Sequence, residues 1–199
     1  MIVAIVLSAG ESSRMGNPKA LLPIGGVSFI ERIVEGFRAT KAGRIVVVLG
    51  HRAAELRKEI VKLPVTIVLN GDYAQGQLSS LNAAIRTLAA QKPPEDVAAI
   101  LVHLVDHPFV SPALVDQMIE RFYASKKLIV VPRYKGRRGH PVLFSSGLFA
   151  ELLNTPLEQG AKAVVHAHRD ETLEIETDYE GVIIDIDTPE EYRQFLGRE

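Results

Sequence analysis

An apolar run at residues 2–6 empties into Leu7-Ser8-Ala9-Gly10, and two cations follow at fixed offsets, Arg14 and Lys19. This is chemistry suited to a nucleoside triphosphate. Glycine lets the backbone approach a ligand closely, loop N–H groups can point at phosphate oxygens, and the cations offset the phosphate charge. The segment is not a P-loop, because the Gly-x4-Gly-Lys-Ser/Thr spacing is absent, and it lacks the dinucleotide glycine pattern. It runs about 17 residues before the next helical pattern, and loops of that length in compact domains are usually functional.

Carboxylates at the ends of other apolar runs fit the same chemistry. Asp106 stands in Val105-Asp106-His107-Pro108. A carboxylate at a strand end can hold a divalent cation against phosphates, and magnesium typically binds through one or two carboxylates plus substrate phosphate oxygens. The competing reading is a turn or capping aspartate. Asp185 and Asp187 alternate, so on a strand they would share a face. Asp187 adjoins Thr188-Pro189-Glu190-Glu191, a capping-box sequence, and serves either local loop support or the metal.

The histidines offer no metal spacing. His140 lies in Arg137-Arg138-Gly139-His140-Pro141 without a second histidine near it, so zinc is not expected. His51, His103 and His107 read as isolated, and His166 and His168 as a solvated helix end. The cations Arg133, Lys135, Arg137 and Arg138 suit a solvated hairpin tip or an anionic second substrate, and the residues alone leave both open. Residues 70–77, opened by Asn70, are turn-rich. Ser79 or Ser80 would then cap a helix and leave backbone donors near its start for a ligand.

The elements that must position these groups are legible in the hydrophobic pattern. Short apolar, β-branched runs recur at residues 2–7, 45–49, 65–69, 98–105 and 128–131. Strands buried on both faces look like this, which favours a mostly parallel sheet. Helical stripes lie between them: Phe29, Ile30, Ile33, Val34 and Phe37; Leu81, Ala84, Ile85 and Leu88; Leu114, Val115, Met118, Ile119 and Phe122. Ser111 and Pro112 open the third stripe as N-cap and first helical residue. The alternation predicts a Rossmann-like, doubly wound α/β fold in one domain spanning 1–199. After Val131 the rhythm changes. Residues 141–144, 173–177 and 181–186 look like further strands, the last two joined near Asp178, and a small antiparallel addition is expected. Ligands of open α/β sheets bind beyond the carboxyl ends of the strands, where the loops at 8–18, 70–76 and 106–108 would converge.

Bulk properties bound the rest. The 199 residues are 47% hydrophobic and 24% charged, with a net charge of −1 that calls for no nucleic acid. There is no cysteine, which excludes disulfides, thiolate chemistry and cysteine-ligated metals and fits a reducing compartment. No apolar stretch reaches the roughly 18 residues of a membrane span, and no signal core is present. A cytoplasmic protein without membrane contact is the expectation.

Together these residues resemble the nucleotidyltransferases of the MobA-like group, and most closely its molybdenum cofactor cytidylyltransferases. The resemblance runs from Ile2 to about Phe195. It rests on residues 7–19, on 70–81, on 105–108, on Gly-His-Pro at 139–141 and on Asp-x-Asp-Thr-Pro-Glu at 185–190. It implies the nucleotide-diphospho-sugar transferase type of fold, with Mg2+ as cofactor. Leu7, Ala9 and Gly10 would border base and ribose; Arg14 and Lys19 would hold the triphosphate, with Asn70, Ser79 and Ser80 near the base. Asp106 and Asp187 would bind the metal, and Gly139, His140 and Pro141 would face the acceptor. The implied reaction moves CMP from CTP to the phosphate of molybdopterin and releases pyrophosphate. It also implies passing contact with a molybdoenzyme or its chaperone.

This sequence departs from the family pattern at Ser8, at Gln77-Leu78 and at Lys162, where an arginine fork is usual. Three alternatives stay open: GTP as donor, another phosphorylated metabolite as acceptor, and a non-catalytic nucleotide- or cofactor-delivery protein.

Overall fold

Strand β1 (Ile2–Ser8) is buried along its whole length. Its alternate side chains supply both halves of the core. Ile2, Ala4 and Val6 pack to one face of the sheet, while Val3, Ile5 and Leu7 pack to the other. The chain is described by a computed structural model over residues 1–12, 15–91 and 96–196.

Four further strands follow the apolar runs: β4 (Arg44–Leu49), β5 (Thr66–Leu69), β6 (Ala99–Leu104) and β7 (Ile129–Tyr134). A short hairpin, β2 (Pro23–Ile24) with β3 (Val27–Ser28), precedes the first helix. Beyond β7 come β8 (Arg137–Arg138), β9 (Val142–Ser145) and β10 (Thr172–Glu176). The main sheet has the order β10-β7-β9-β6-β1-β4-β5, with β8 beside β7. β1 pairs in parallel with both β4 and β6. The chain leaves β1 for β4 and β5 on one side and returns to β6 on the other, so the order reverses at β1. That reversal opens a crevice at the carboxyl ends of the strands.

Helices α1 (Phe29–Arg38), α2 (Ala53–Ile60) and α4 (Pro112–Ala124) cover one face, and α3 (Gln77–Ala89), α5 (Phe149–Asn154) and α6 (Ala161–Ala167) the other. The stripe expected on α1 is the buried one, Phe29, Ile30, Ile33, Val34 and Phe37, and a Ser28–Glu31 capping box opens the helix. Ser111 caps α4 with Pro112 behind it. A third cluster, Ile24, Phe29 and Ile186, joined by Tyr192 and Phe195, docks α7 (Pro189–Leu196) against the hairpin. Among the described residues no helix is long and apolar enough to cross a membrane.

The antiparallel addition is present, and the run expected at 141–144 supplies it as β9, whereas the runs at 173–177 and 181–186 differ from expectation. β9 is reversed and wedged between β6 and β7, and the short β8 also runs antiparallel to β7. β10 runs parallel to β7 and forms no hairpin with residues 181–186. Parallel pairing needs a long crossover, and α5 and α6 supply it. Residues 181–186 form no strand. A 3-10 turn (Glu180–Ile183) leads into extended chain. The hydrogen bonds of this segment go to loop atoms instead of a ladder: His140 N–H donates to Val182 O at 2.8 Å, and Ile186 N–H to Asp106 O at 2.9 Å.

Phe37 lies at the centre of the α1/α4 side of the core and is fully buried. Phe37→Ala is expected to lower unfolding free energy by about 3–5 kcal/mol in urea titrations, from lost transfer energy plus a residual cavity.

Candidate functional site

Two adjoining clefts open along the carboxyl ends of the strands. The first, about 430 Å³, lies between the loop after β1 and the start of α3. The second, about 1070 Å³, lies between α3, β9 and α6. Leu7, Gly76, Gln77 and Leu104 line both, so the clefts meet above β1 and β6.

Leu7, Ala9, Gly10 and Lys19 line the first cleft. Arg14 lies outside the described residues. The loop bends at Ser12, whose φ is +50°, and the Ser12 hydroxyl accepts from the Lys19 N–H at 3.3 Å. This sets Lys19 on a 3-10 turn (Lys19–Leu21) with only 8% of its surface exposed. Its ammonium forms a very short ion pair with Asp187 Oδ1 and lies 3.9 Å from Asp106 Oδ2.

Backbone bonds bring the two carboxylates together. The Ile186 N–H donates to the Asp106 carbonyl, which draws residue 187 alongside. Thr188 and Glu191 make the expected capping box, and the Glu191 carboxylate also accepts from the Asp187 N–H at 2.8 Å. Asp185, by contrast, is exposed and lines neither cleft. Burial raises the Asp106 carboxyl from its ordinary value; Lys19 opposes the rise and Asp187 adds to it. Asp106 Oδ1 is buried with no hydrogen-bond partner. Among the described residues no three His, Asp or Glu side chains are placed to hold a metal ion by themselves. Two carboxylates beside an open cleft, one with an unsatisfied buried oxygen, fit a divalent ion that takes its remaining ligands from a phosphate substrate.

The wall carried by residues 70–80 is built differently from expectation. α3 begins at Gln77 with Gly76 as N-cap, at a φ of +99°, and no side chain caps it. Ser79 and Ser80 are inside the helix. Buried Asn70 donates to their hydroxyls at 2.9 and 3.0 Å, and its own carbonyl accepts from the Asp72 N–H. Of the three, Ser80 reaches the cleft lining. A tight loop whose polar groups are mutually satisfied thus aims the N-terminus of α3 at both clefts, a favourable position for an anion.

Sequence reasoning missed a further part of the lining, made by His51 and Arg52 where they meet Tyr73. The ring of His51 meets that of Tyr73 edge-on at 5.9 Å. A Cβ on Gly50 would come within 2.5 Å of Tyr73 Cβ and 2.8 Å of Ala9 O, so only glycine lets these loops close on one another. The signal was there: His51 stands two residues after the end of β4, at the rim where the other loops converge.

The second cleft has an apolar floor that includes Leu81, Val102 and Phe144, and a polar edge that includes Arg138, Gln159 and Lys162. Gly139 and His140 line it, whereas Pro141 is buried outside both clefts. A Cβ on Gly139 would fall 2.2 Å from Val182 O, which accounts for the glycine by close approach. The basic cluster is partly neutralised: Arg133 pairs with Glu174 and Glu176, and Arg138 with Glu174.

The histidines read as isolated are not isolated. His103, His107 and His140 gather under the Asp106 turn, with ring centroids 4.7–6.3 Å apart. Burial holds all three below the ordinary imidazole value, His140 down to about 4, and each is neutral near pH 7. His168 is the opposite case. Its two ring nitrogens face Glu171 at 2.5 Å and Glu151 at 2.7 Å, and these bonds raise its pKa. It ties the end of α6, a wall of the second cleft, to α5.

The family model of the MobA-like NTP transferase domain matches residues 4–172. The molybdenum cofactor cytidylyltransferase of Escherichia coli (strain K12) is 26% identical over 197 residues, covering 96% of this chain and 93% of that protein. The nicotine blue oxidoreductase of Paenarthrobacter nicotinovorans is 30% identical over 161 residues, 77% of this chain and 76% of that protein. The crystal structure of Rv0371c from Mycobacterium tuberculosis H37Rv superposes with a TM-score of 0.84 at 31% identity, covering 98% of this chain and 97% of that one. A structure of Rv0371c in complex with manganese gives 0.82 at 28% identity, covering 100% of this chain and 99% of that one.

The His168 clamp has a defined pH signature. A raised folded pKa contributes stability that is complete below the unfolded value of about 6.5 and is lost as pH rises through the folded pKa. The Tm advantage of wild type over His168→Gln is therefore expected to be full in mild acid and to shrink in alkali. A gap independent of pH would remove the ionic reading.

Proposed function

The chain belongs to the MobA-like NTP transferase family, and from that membership we propose that it transfers CMP from CTP to the phosphate of molybdopterin, releasing pyrophosphate. The observation that carries the reading is the meeting of Lys19, Asp106 and Asp187 in the first cleft, which adjoins the second at Leu7, Gly76, Gln77 and Leu104. One cleft suits a nucleotide and the other a phosphorylated heterocycle.

In this reading the nucleotide lies in the first cleft, with Leu7, Ala9 and Gly10 against base and ribose and Arg14 and Lys19 on the triphosphate. Ser80 lies at the base side, with Asn70 and Ser79 holding the loop behind it. Asp106 and Asp187 hold Mg2+, which supplies charge neutralisation on the phosphate oxygens when bound. Gly139 and His140 border the acceptor, with Pro141 behind them. The acceptor phosphate attacks the α-phosphorus in line; the bond to the β-phosphate oxygen breaks, and its electron pair leaves with pyrophosphate. An acceptor that is already anionic needs no strong general base, so positioning and electrostatics carry the rate.

The choice of CTP over GTP rests on Ala9, 4% exposed at the cleft wall, and one methyl group discriminates by only about 1–3 kcal/mol. The oxidoreductase relative is a reminder that a shared fold does not fix the chemistry. Paired carboxylates around a lysine are the equipment of phosphoryl transfer.

Pyrophosphate release measured with each of the four NTPs, with and without molybdopterin, is expected to be highest with CTP and to need the pterin. Release with GTP alone would reassign the donor, and a pterin-independent rate would reassign the acceptor. Asp106→Asn is expected to cut kcat by about a hundredfold or more with the circular dichroism spectrum unchanged. Lys19→Ala should lower kcat/KM for the nucleotide; a change confined to the acceptor KM would move Lys19 to the other substrate.

A further inference from the structure

His103 lies wholly inside the protein, yet it carries a hydrogen-bonding ring at a place on β6 that faces the hydrophobic core. On β6 it shares a face with Ala99 and Leu101, and its ring meets Phe37 edge-on at 5.4 Å. A leucine would fill that place without a polar group to satisfy.

Among the described residues the ring has one hydrogen-bond partner: Nε2 lies 2.7 Å from the carbonyl oxygen of His107. A carbonyl accepts only, so Nε2 carries the proton. Nδ1 is the bare nitrogen of the neutral ring, and it is buried without a partner. The bond spans residues 104–107, whose own closure is the His107 N–H donating to Leu104 O at 3.1 Å. Asp106 sits inside this loop. Its carbonyl is in turn held by the Ile186 N–H, one residue before Asp187. The chain of bonds therefore runs from the core strand, through the turn, to both carboxylates.

We propose that His103 is a positioning residue: its Nε2–H, bonded to His107 O, fixes the 104–107 turn so that the Asp106 carboxylate faces Asp187 at the spacing a divalent cation needs. The metal part rests on the proposed role of Asp106 and Asp187 as metal ligands; the turn-fixing part does not. His103 touches neither cleft. Its role is to donate a bond to a backbone atom that would otherwise let the turn relax away from Asp187.

The test compares two replacements of similar size. His103→Met fills the space without a donor, and His103→Gln returns an N–H at about the same reach. Mn2+ affinity is measured by calorimetry on the full chain, alongside amide exchange of residues 104–107 and steady-state kinetics. The Met variant is expected to bind Mn2+ about ten- to hundredfold more weakly, to lose kcat by a similar factor with the nucleotide KM little changed, and to exchange the turn amides faster. The Gln variant should recover most of all three.

Phe37→Leu, which loosens the same packing but keeps the donor, should lower Tm while leaving Mn2+ affinity alone. Equal losses in the Met and Gln variants would reduce His103 to a packing residue and overturn the proposal, as would wild-type affinity and exchange in the Met variant. If the Met variant does not fold, a Gln variant with weakened Mn2+ binding overturns it. If wild type itself binds no Mn2+, the metal reading fails, and turn exchange alone decides whether His103 fixes the turn.

Discussion

Two carboxylates side by side at the edge of a hydrophobic core repel one another and resist desolvation, and a cation between them relieves both costs. The ammonium of Lys19 sits in that position between Asp106 and Asp187. The surrounding architecture makes the arrangement available. β1 delivers the loop that ends in Lys19, β6 delivers the turn that carries Asp106, and α7, docked against the β2–β3 hairpin, delivers Asp187. Three distant parts of the chain converge because the sheet reverses its order at β1 and leaves a crevice there.

The convergence is rigid where it needs to be. Polar groups around the crevice are largely committed to one another: Asn70 to Ser79 and Ser80, Glu191 to the backbone of Asp187 and Thr188, and His103 to the carbonyl of His107. Buried networks that are satisfied in this way specify one geometry. Around the turn that carries Asp106, its Oδ1 and the Nδ1 atoms of His103 and His107 are buried without a hydrogen-bond partner.

The two clefts differ in character as two substrates would. The first is smaller and more polar, framed by backbone loops and the N-terminus of α3. The second is larger, with an aliphatic and aromatic floor under a cationic edge, half neutralised by Glu174. Their shared boundary at Leu7, Gly76, Gln77 and Leu104 is where groups from each could meet. His140 lines the second cleft, and His107 follows Asp106, which lines the first.

Local sequence sufficed for the strands of the parallel half, the stripe of α1, the Ser111 cap and the Thr188–Glu191 box, because each is dictated by periodicity or by a contact within four residues. The rim position of Lys19 and Asp106 was legible as well, since loops at strand ends must converge in an open sheet. The direction of β10, the loss of a strand at 181–186 and the gathering of His103, His107 and His140 were not. Each depends on which distant backbone a segment meets: β10 on a two-helix crossover, residue 182 on the N–H of His140, and the histidines on β6 and the segment before β9 lying side by side. Sequence spacing reports neighbours along the chain. Pairing across the sheet, with the burial that neutralises those imidazoles and raises Asp106, arises only when the tertiary structure closes and water leaves.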